Sequence, residues 1–180
     1  MKDLLIIYER AKNEGGLSAE GLIRIAKDFV DHPLDVEKIK YDIDTWLKKS
    51  VTCYPDAASS ITAWKKAGIP VIIITVGAPE FQKRKIELSK IPHDDVFIID
   101  RINKKSETIR ELVKKYGSPC LFIDDKATEL DAIHDAGIHE TIITCRILRK
   151  NSPYFGQKAL HSHIEITALD DPLLVSYIHG

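Results

Sequence analysis

The run Cys120-Leu-Phe-Ile-Asp-Asp-Lys-Ala-Thr-Glu129 closes an apolar stretch with two adjacent carboxylates, Asp124 and Asp125, and sets a third, Glu129, shortly after them. Carboxylates at a strand tip make a hard-cation site, and oxygen-only ligands suit Mg2+, which keeps several waters and commonly meets a phosphate. The same residue types also serve as a helix N-cap followed by a Glu at the third helical position, which needs no metal. Two further places carry related chemistry. Ile-Ile-Ile-Thr-Val-Gly ends with the Thr75 hydroxyl and Gly77, and a hydroxyl with backbone amides at such a turn can hold a phosphate oxygen. Thr75 taken alone serves equally well as a helix cap. Lys104 and Lys105 precede a helical stretch; a lysine there can neutralise phosphate charge, or can be a solvated surface residue.

The elements that must position these residues follow from hydrophobic patterning. From Val71 onward, short β-branched runs alternate with helical stretches, the signature of an α/β domain with a parallel sheet. Strands are predicted at Val71 to Thr75, Val96 to Asp100, Cys120 to Asp124 and Thr141 to Cys145. Each is almost wholly apolar, as expected of strands covered on both faces. Helices are predicted from Pro55 to Ala67, with Ala58, Ile61 and Trp64 toward the sheet, from Pro79 to Ser89, from Ser106 to Tyr116 and from Thr128 to Ala136. Gly68, Gly117 and Gly137 close three of them. A short edge strand at His163 to Thr167 and a last helix opened by Asp171-Pro172 complete the pattern.

The first 50 residues differ, because their apolar positions recur at helical spacing. After Ser18 as N-cap, Leu22, Ile25, Ala26, Phe29 and Val30 form one stripe; after Asp35, Val36, Ile39, Ile43, Trp46 and Leu47 form another. This contrast predicts a helical cap ahead of an α/β core, with the boundary at Ser50 to Tyr54.

Composition narrows the function classes. A chain of 180 residues can bury a substantial core, and a net charge of -1 argues against nucleic acid as a partner. The apolar stretch Ile69 to Ala78 contains Pro70 and Gly77 and is too short for a membrane span. The sequence after Met1-Lys2-Asp3 has no signal-peptide pattern, and three cysteines without CxxC spacing read as reduced core residues of a cytoplasmic protein. His161-Ser-His163 could put two imidazoles on one strand face as a metal pair, but no Cys or acid at zinc-site spacing accompanies it, and the other histidines suggest no constellation.

Taken in chain order, a strand-tip Thr, a Lys at a helix start and a strand-tip Asp-Asp, the sequence resembles the haloacid dehalogenase-like (HAD) superfamily from Pro55 to Gly137, and more loosely to the terminal helix. The resemblance implies a Rossmann-like HAD core with a parallel sheet over 51–180 and a small N-terminal helical cap over 1–50. It also implies Mg2+-dependent phosphatase chemistry on a small phosphorylated molecule. By position, Thr75 resembles the second-motif phosphate binder, with Gly77 beside it, and Lys105 the third-motif lysine, with Lys104 as the alternative. Asp124 and Asp125 resemble the fourth-motif metal carboxylates, and Glu129 falls where many members carry another acid.

One motif of that family has no counterpart. Its chemistry depends on an apolar strand ending Asp-x-Asp, whose first Asp attacks phosphorus and whose second works as acid and base. Asp42-Ile-Asp44 lies within the second helical stripe, and Asp3 comes too early to follow a strand. Leu4 to Tyr8 reads in two ways. As a strand, it puts Tyr8 and Arg10 near the nucleophile and acid positions, where neither does that work, and the chain is an inactive relative. As a helical stripe closed by Gly15, the favoured reading, it is cap, and the first core strand is missing from a chain truncated at its N-terminus. Without that strand, the Thr75 and Asp124 strands either keep unpaired edges or pair directly. Both readings predict little or no turnover; the alternative is a non-catalytic module of this fold that binds a phosphorylated ligand or a protein partner.

Overall fold

The computed structural model describes residues 10, 19–29, 35–99 and 105–179. In chain order its elements are α1 (Ala19–Ala26) with a 3-10 turn at Lys27–Phe29, α2 (Val36–Ser50), α3 (Pro55–Lys66), β1 (Ile72–Val76), α4 (Pro79–Ser89), β2 (Asp95–Ile99), α5 (Lys105–Tyr116), β3 (Cys120–Asp124), α6 (Ala127–Asp135), β4 (Ile142–Ile147), β5 (Ile164–Ile166) and α7 (Pro172–His179). The fold is α/β and every ladder is parallel: β1 pairs with β2, and β4 lies between β3 and β5. Parallel neighbours need a crossover, which α4 supplies between β1 and β2 and α6 between β3 and β4. Among the described residues β1 has a ladder partner only in β2, and β3 only in β4.

Helix ends obey local chemistry. Pro55 and Pro79 stand in first turns, where a missing N–H is no loss. Asp35 caps α2 by accepting from the Lys38 amide at 3.0 Å. Gly117 and Gly137, with φ of +88° and +67°, take the left-handed turn that follows α5 and α6. Residues 4–8, on which the strand and helix readings differ, lie outside the described residues, as do Ser18 and Val30.

The chain divides into two compact units: Met1–Cys53 with Ile72–Ile102, and Tyr54–Val71 with Asn103–Gly180. In the first, Ile25 is fully buried with Leu22 and Ala26 against it, and Leu47 of α2 is buried. Arg84 of α4 donates to Asp44 of α2 at 2.7 Å. In the second, Leu130 and Ile133 of α6, Cys145 of β4, Ile166 of β5 and Leu174 of α7 are fully buried. Burial pushes the Cys145 thiol up to about 12, with the Asp171 charge adding to the shift, so it is an inert core residue.

Three predicted core positions face solvent. Phe29 is exposed because α1 ends at Ala26 and the chain tightens into the 3-10 turn, which breaks the 3.6-residue stripe. Trp46 is exposed while its neighbour Leu47 is buried, so the apolar face of α2 runs through the latter. In α3 the buried set is Ala57, Ser60, Ile61 and Trp64, with Ala58 on the outer face. No helix among the described residues is long and apolar enough to cross a membrane.

Candidate functional site

In open α/β sheets ligands bind outside the carboxyl ends of the strands, and the predicted site residues Thr75, Asp124 and Asp125 stand at or next to the tips of β1 and β3. The tip of β3 is ionic. Lys105, the first residue of α5, donates from Nζ to Asp124 Oδ2 at 2.5 Å, and both side chains are largely buried, at 11% and 12% exposure. Asp124 Oδ1 accepts from the Lys126 backbone amide at 2.9 Å. Asp125 turns elsewhere: its Oδ2 accepts from the Ser152 hydroxyl at 2.6 Å. Glu129 is buried on the first turn of α6, where its Oε1 accepts from Lys126 Nζ at 3.0 Å and its Oε2 has no hydrogen-bond partner.

This arrangement differs from an Asp N-cap with a capping-box Glu. The N-cap position of α6 is Lys126, no side chain caps it, and Glu129 bonds the Lys126 ammonium. The physical reason is that Asp124 engages the Lys126 amide from within the strand, and Asp125 is drawn to a remote serine. Arg146 of β4, in register with Asp124, is also buried; its guanidinium donates to the carbonyls of Tyr154 and Gln157 at 3.1 and 2.6 Å.

The tip of β1 is neutral. The Thr75 hydroxyl donates to Gln82 Oε1 at 3.1 Å, and Gln82 Nε2 returns to the Val76 carbonyl at 3.1 Å. Gly77 has φ of +142°, and a Cβ there would stand 2.5 Å from Gln82 Nε2, so this turn requires glycine while the glutamine keeps its place. The Gly77 amide is used by the Ile99 carbonyl at 3.0 Å. Sequence reasoning missed Gln82, although its place on the first turns of the helix after Pro79 aims it back at the strand end. Lys104 lies outside the described residues.

The donor chemistry fits Mg2+. Asp124 and Asp125 offer carboxylate oxygens at a strand tip, and Mg2+ needs only one or two protein carboxylates when waters and phosphate complete its shell. Among the described residues no three His, Cys, Asp or Glu side chains converge into a metal-holding group, so Glu129 does not join the two aspartates in a ready three-carboxylate set.

The same finding bears on the histidines. His161 and His163 form no metal group with a third ligand among the described residues, and each is held by a carboxylate: His161 Nε2 is 2.9 Å from Asp135 and His163 Nε2 is 3.1 Å from Asp131. They do belong to a constellation that spacing did not reveal. The His134 ring stacks on His139 and on His161, centroids 4.8 Å apart in both cases, and meets His163 edge-on at 5.2 Å. Thr144 Oγ1 is 2.8 Å from His163 Nδ1. Burial, followed by the like charges that His161, His163 and His139 would carry, holds His134 below the ordinary imidazole range despite the opposing pull of Asp131.

Parallel strands joined through helical crossovers define a Rossmann-like α/β protein. The chain belongs to the haloacid dehalogenase-like hydrolases, whose family model matches residues 8–137. Enolase-phosphatase E1 of Pectobacterium atrosepticum is 29% identical over 108 residues, a match that covers 55% of this chain and 45% of that protein. The enolase-phosphatase E1 of Granulibacter bethesdensis is 31% identical over 105 residues, covering 53% and 44%. The chain thus spans less than half the length of the curated relatives it matches. A haloacid dehalogenase-like hydrolase from Burkholderia xenovorans LB400 superposes with a TM-score of 0.65 at 19% identity, covering 99% of this chain and 82% of that one. An L-2-haloacid dehalogenase superposes at 0.60 and 15% identity, covering 99% and 83%. At these identities the likeness is one of fold.

Proposed function

We propose that this chain carries phosphate-binding and Mg2+-binding residues of a phosphatase site for a small phosphorylated molecule. The observation behind this reading is the Lys105–Asp124 pair, two charged groups largely withdrawn from water at the carboxyl end of a parallel strand. Desolvating such a pair costs several kcal/mol, roughly what its attraction returns, so stability alone is a weak reason for it. A phosphate and its cation give both partners further work: Lys105 offsets charge on the phosphoryl oxygens, and Asp124 and Asp125 hold the metal. Glu129 adds negative charge behind them, and at the tip of β1, in the other unit, the Thr75 hydroxyl beside Gly77 is a group of the kind that takes a phosphate oxygen. When bound, Mg2+ supplies electrophilic stabilisation of those oxygens. The name of the enolase-phosphatase relatives supports a phosphate ester as the ligand class.

The one Asp-x-Asp of this sequence is Asp42-Ile-Asp44, which lies in a helix. Asp42 and Asp44 lie in α2, the first paired with Lys38 and the second with Arg84 and Lys48, so neither is a poised nucleophile. A protein of these 180 residues therefore binds the phosphate and turns it over little or not at all. The test is p-nitrophenyl phosphate hydrolysis alongside thermal unfolding with inorganic phosphate and Mg2+. Stabilisation by both together, lost in Lys105→Met, with no hydrolysis is expected. A Mg2+-dependent rate abolished by Asp125→Asn would overturn the low-turnover part; no response to either ligand would overturn the site.

A further inference from the structure

The connection between β4 and β5 is anchored more heavily than a surface loop requires. Arg146 reaches into it with two backbone contacts, and the Arg149 guanidinium binds the Asp56 carboxylate and lies 4.3 Å from the centroid of the Tyr54 ring. Arg149 also donates to the Thr167 carbonyl at 2.8 Å. Between these anchors the chain makes a tight turn, in which the Ser152 amide donates to the Arg149 carbonyl at 2.8 Å. The Ser152 hydroxyl is doubly committed. It accepts from the Tyr154 amide at 3.0 Å, so its single proton is directed to Asp125 Oδ2, 2.6 Å away.

We propose that Ser152 is a positioning residue for Asp125, its hydroxyl holding one carboxylate oxygen so that the other is left to the cation. This rests on reading Asp125 as a Mg2+ ligand. The hydrogen bond is short and charge-assisted, the kind that fixes the rotation of a carboxylate. A metal-binding carboxylate so oriented loses no further freedom when the ion arrives; one without the serine must be ordered at the expense of affinity. The two anchored arginines give the turn its rigidity, and the rigidity gives the hydroxyl its aim.

Mg2+ titration followed by calorimetry on the full chain, without substrate, tests this. Ser152→Ala should weaken Mg2+ binding about 10-fold, as loss of an outer partner to a metal ligand commonly does. Ser152→Thr, which keeps the hydroxyl, should restore most of the affinity, and Ser152→Cys, of similar size with a poor donor, should fall between. Unfolding midpoints of the metal-free variants show whether the turn itself survives. Ser152→Ala or Ser152→Cys binding as tightly as wild type overturns the proposal while leaving Asp125 as a ligand. Wild type binding no better than Asp125→Asn overturns the reading of Asp125, and the role of Ser152 with it.

Discussion

The tips of β1 and β3 are assembled by the same local rule, an apolar parallel strand released into a polar turn ahead of a helix, but they secure their polar groups differently. At β1 the contacts are neutral and local: Gln82, on the helix that immediately follows, satisfies both Thr75 and the Val76 carbonyl. At β3 they are ionic and remote, with Lys105 arriving from the preceding helix and Ser152 from beyond β4. Burial differs in parallel. All five residues of β1 are half-buried; in β3 Phe122 is buried, and in its neighbour β4 four of six residues are. A local neutral contact is easily remade when a ligand arrives; a remote ionic one is held by the packing of the whole second unit.

That contrast can be broken most severely in the cores. Leu130→Ala, at a fully buried position of α6, should cost about 3 to 4 kcal/mol, and Ile74→Ala on β1 roughly half as much, because a half-buried side chain leaves a smaller cavity. Urea unfolding of both variants measures the difference, and equal losses would show that the two positions are equally well packed. At the tips themselves, Lys105→Met should destabilise by about 3 kcal/mol, since it strands a largely buried carboxylate. Gln82→Ala should cost only about 1 kcal/mol, the worth of neutral hydrogen bonds. The same unfolding curves compare them. If Gln82→Ala proves as costly as Lys105→Met, the neutral tip is as strongly built as the ionic one. Thr75→Val, which deprives Gln82 Oε1 of its donor, should also cost about 1 kcal/mol, and Thr75→Ser should recover most of it.

The smallest effect concerns pH. The folded-state pKa of His134 lies below the ordinary 6.5, so the unfolded chain binds this proton more readily. The contribution of His134 is therefore complete above about pH 6.5 and is lost as pH falls toward the depressed folded value. Facing it are His139, His161 and His163, with Asp131 opposing the shift. For Asp131, burial raises the carboxyl, but the His161 and Leu160 amides together with His163 outweigh it and hold it below its ordinary 3.8, so its own loss comes only in stronger acid. The unfolding midpoint should drop between pH 7 and 5.5, and His134→Phe, which keeps a stacking ring without the charge, should flatten that drop. An unchanged slope in the variant would assign the pH dependence to other groups.

Much of the fold could be read from particular residues. The Ile-rich run before Thr75 and the Leu-Phe-Ile run before Asp124 became β1 and β3 within one residue of expectation, and Gly117 and Gly137 ended α5 and α6. The Asp-Asp pair emerged at a strand tip because it terminates an apolar run. The partners of these residues could not be read so. Ser152 belongs to a polar stretch with no periodicity, and the four histidines come from α6, the turn after it and the segment before β5.

The sequence by itself determined element types, their order and the strand-tip placement of Thr75, Asp124 and Asp125, because these depend on patterns a few residues long: apolar runs, first-turn prolines and glycines with positive φ. Only the tertiary structure decided which face of α2 and α3 is buried, that Lys105 grips Asp124 while Ser152 takes Asp125, and that His134 is stacked between two other imidazoles. Those choices depend on which distant segments pack together, and residues 27 apart in sequence, such as Asp125 and Ser152, leave no local period by which the pairing could be seen.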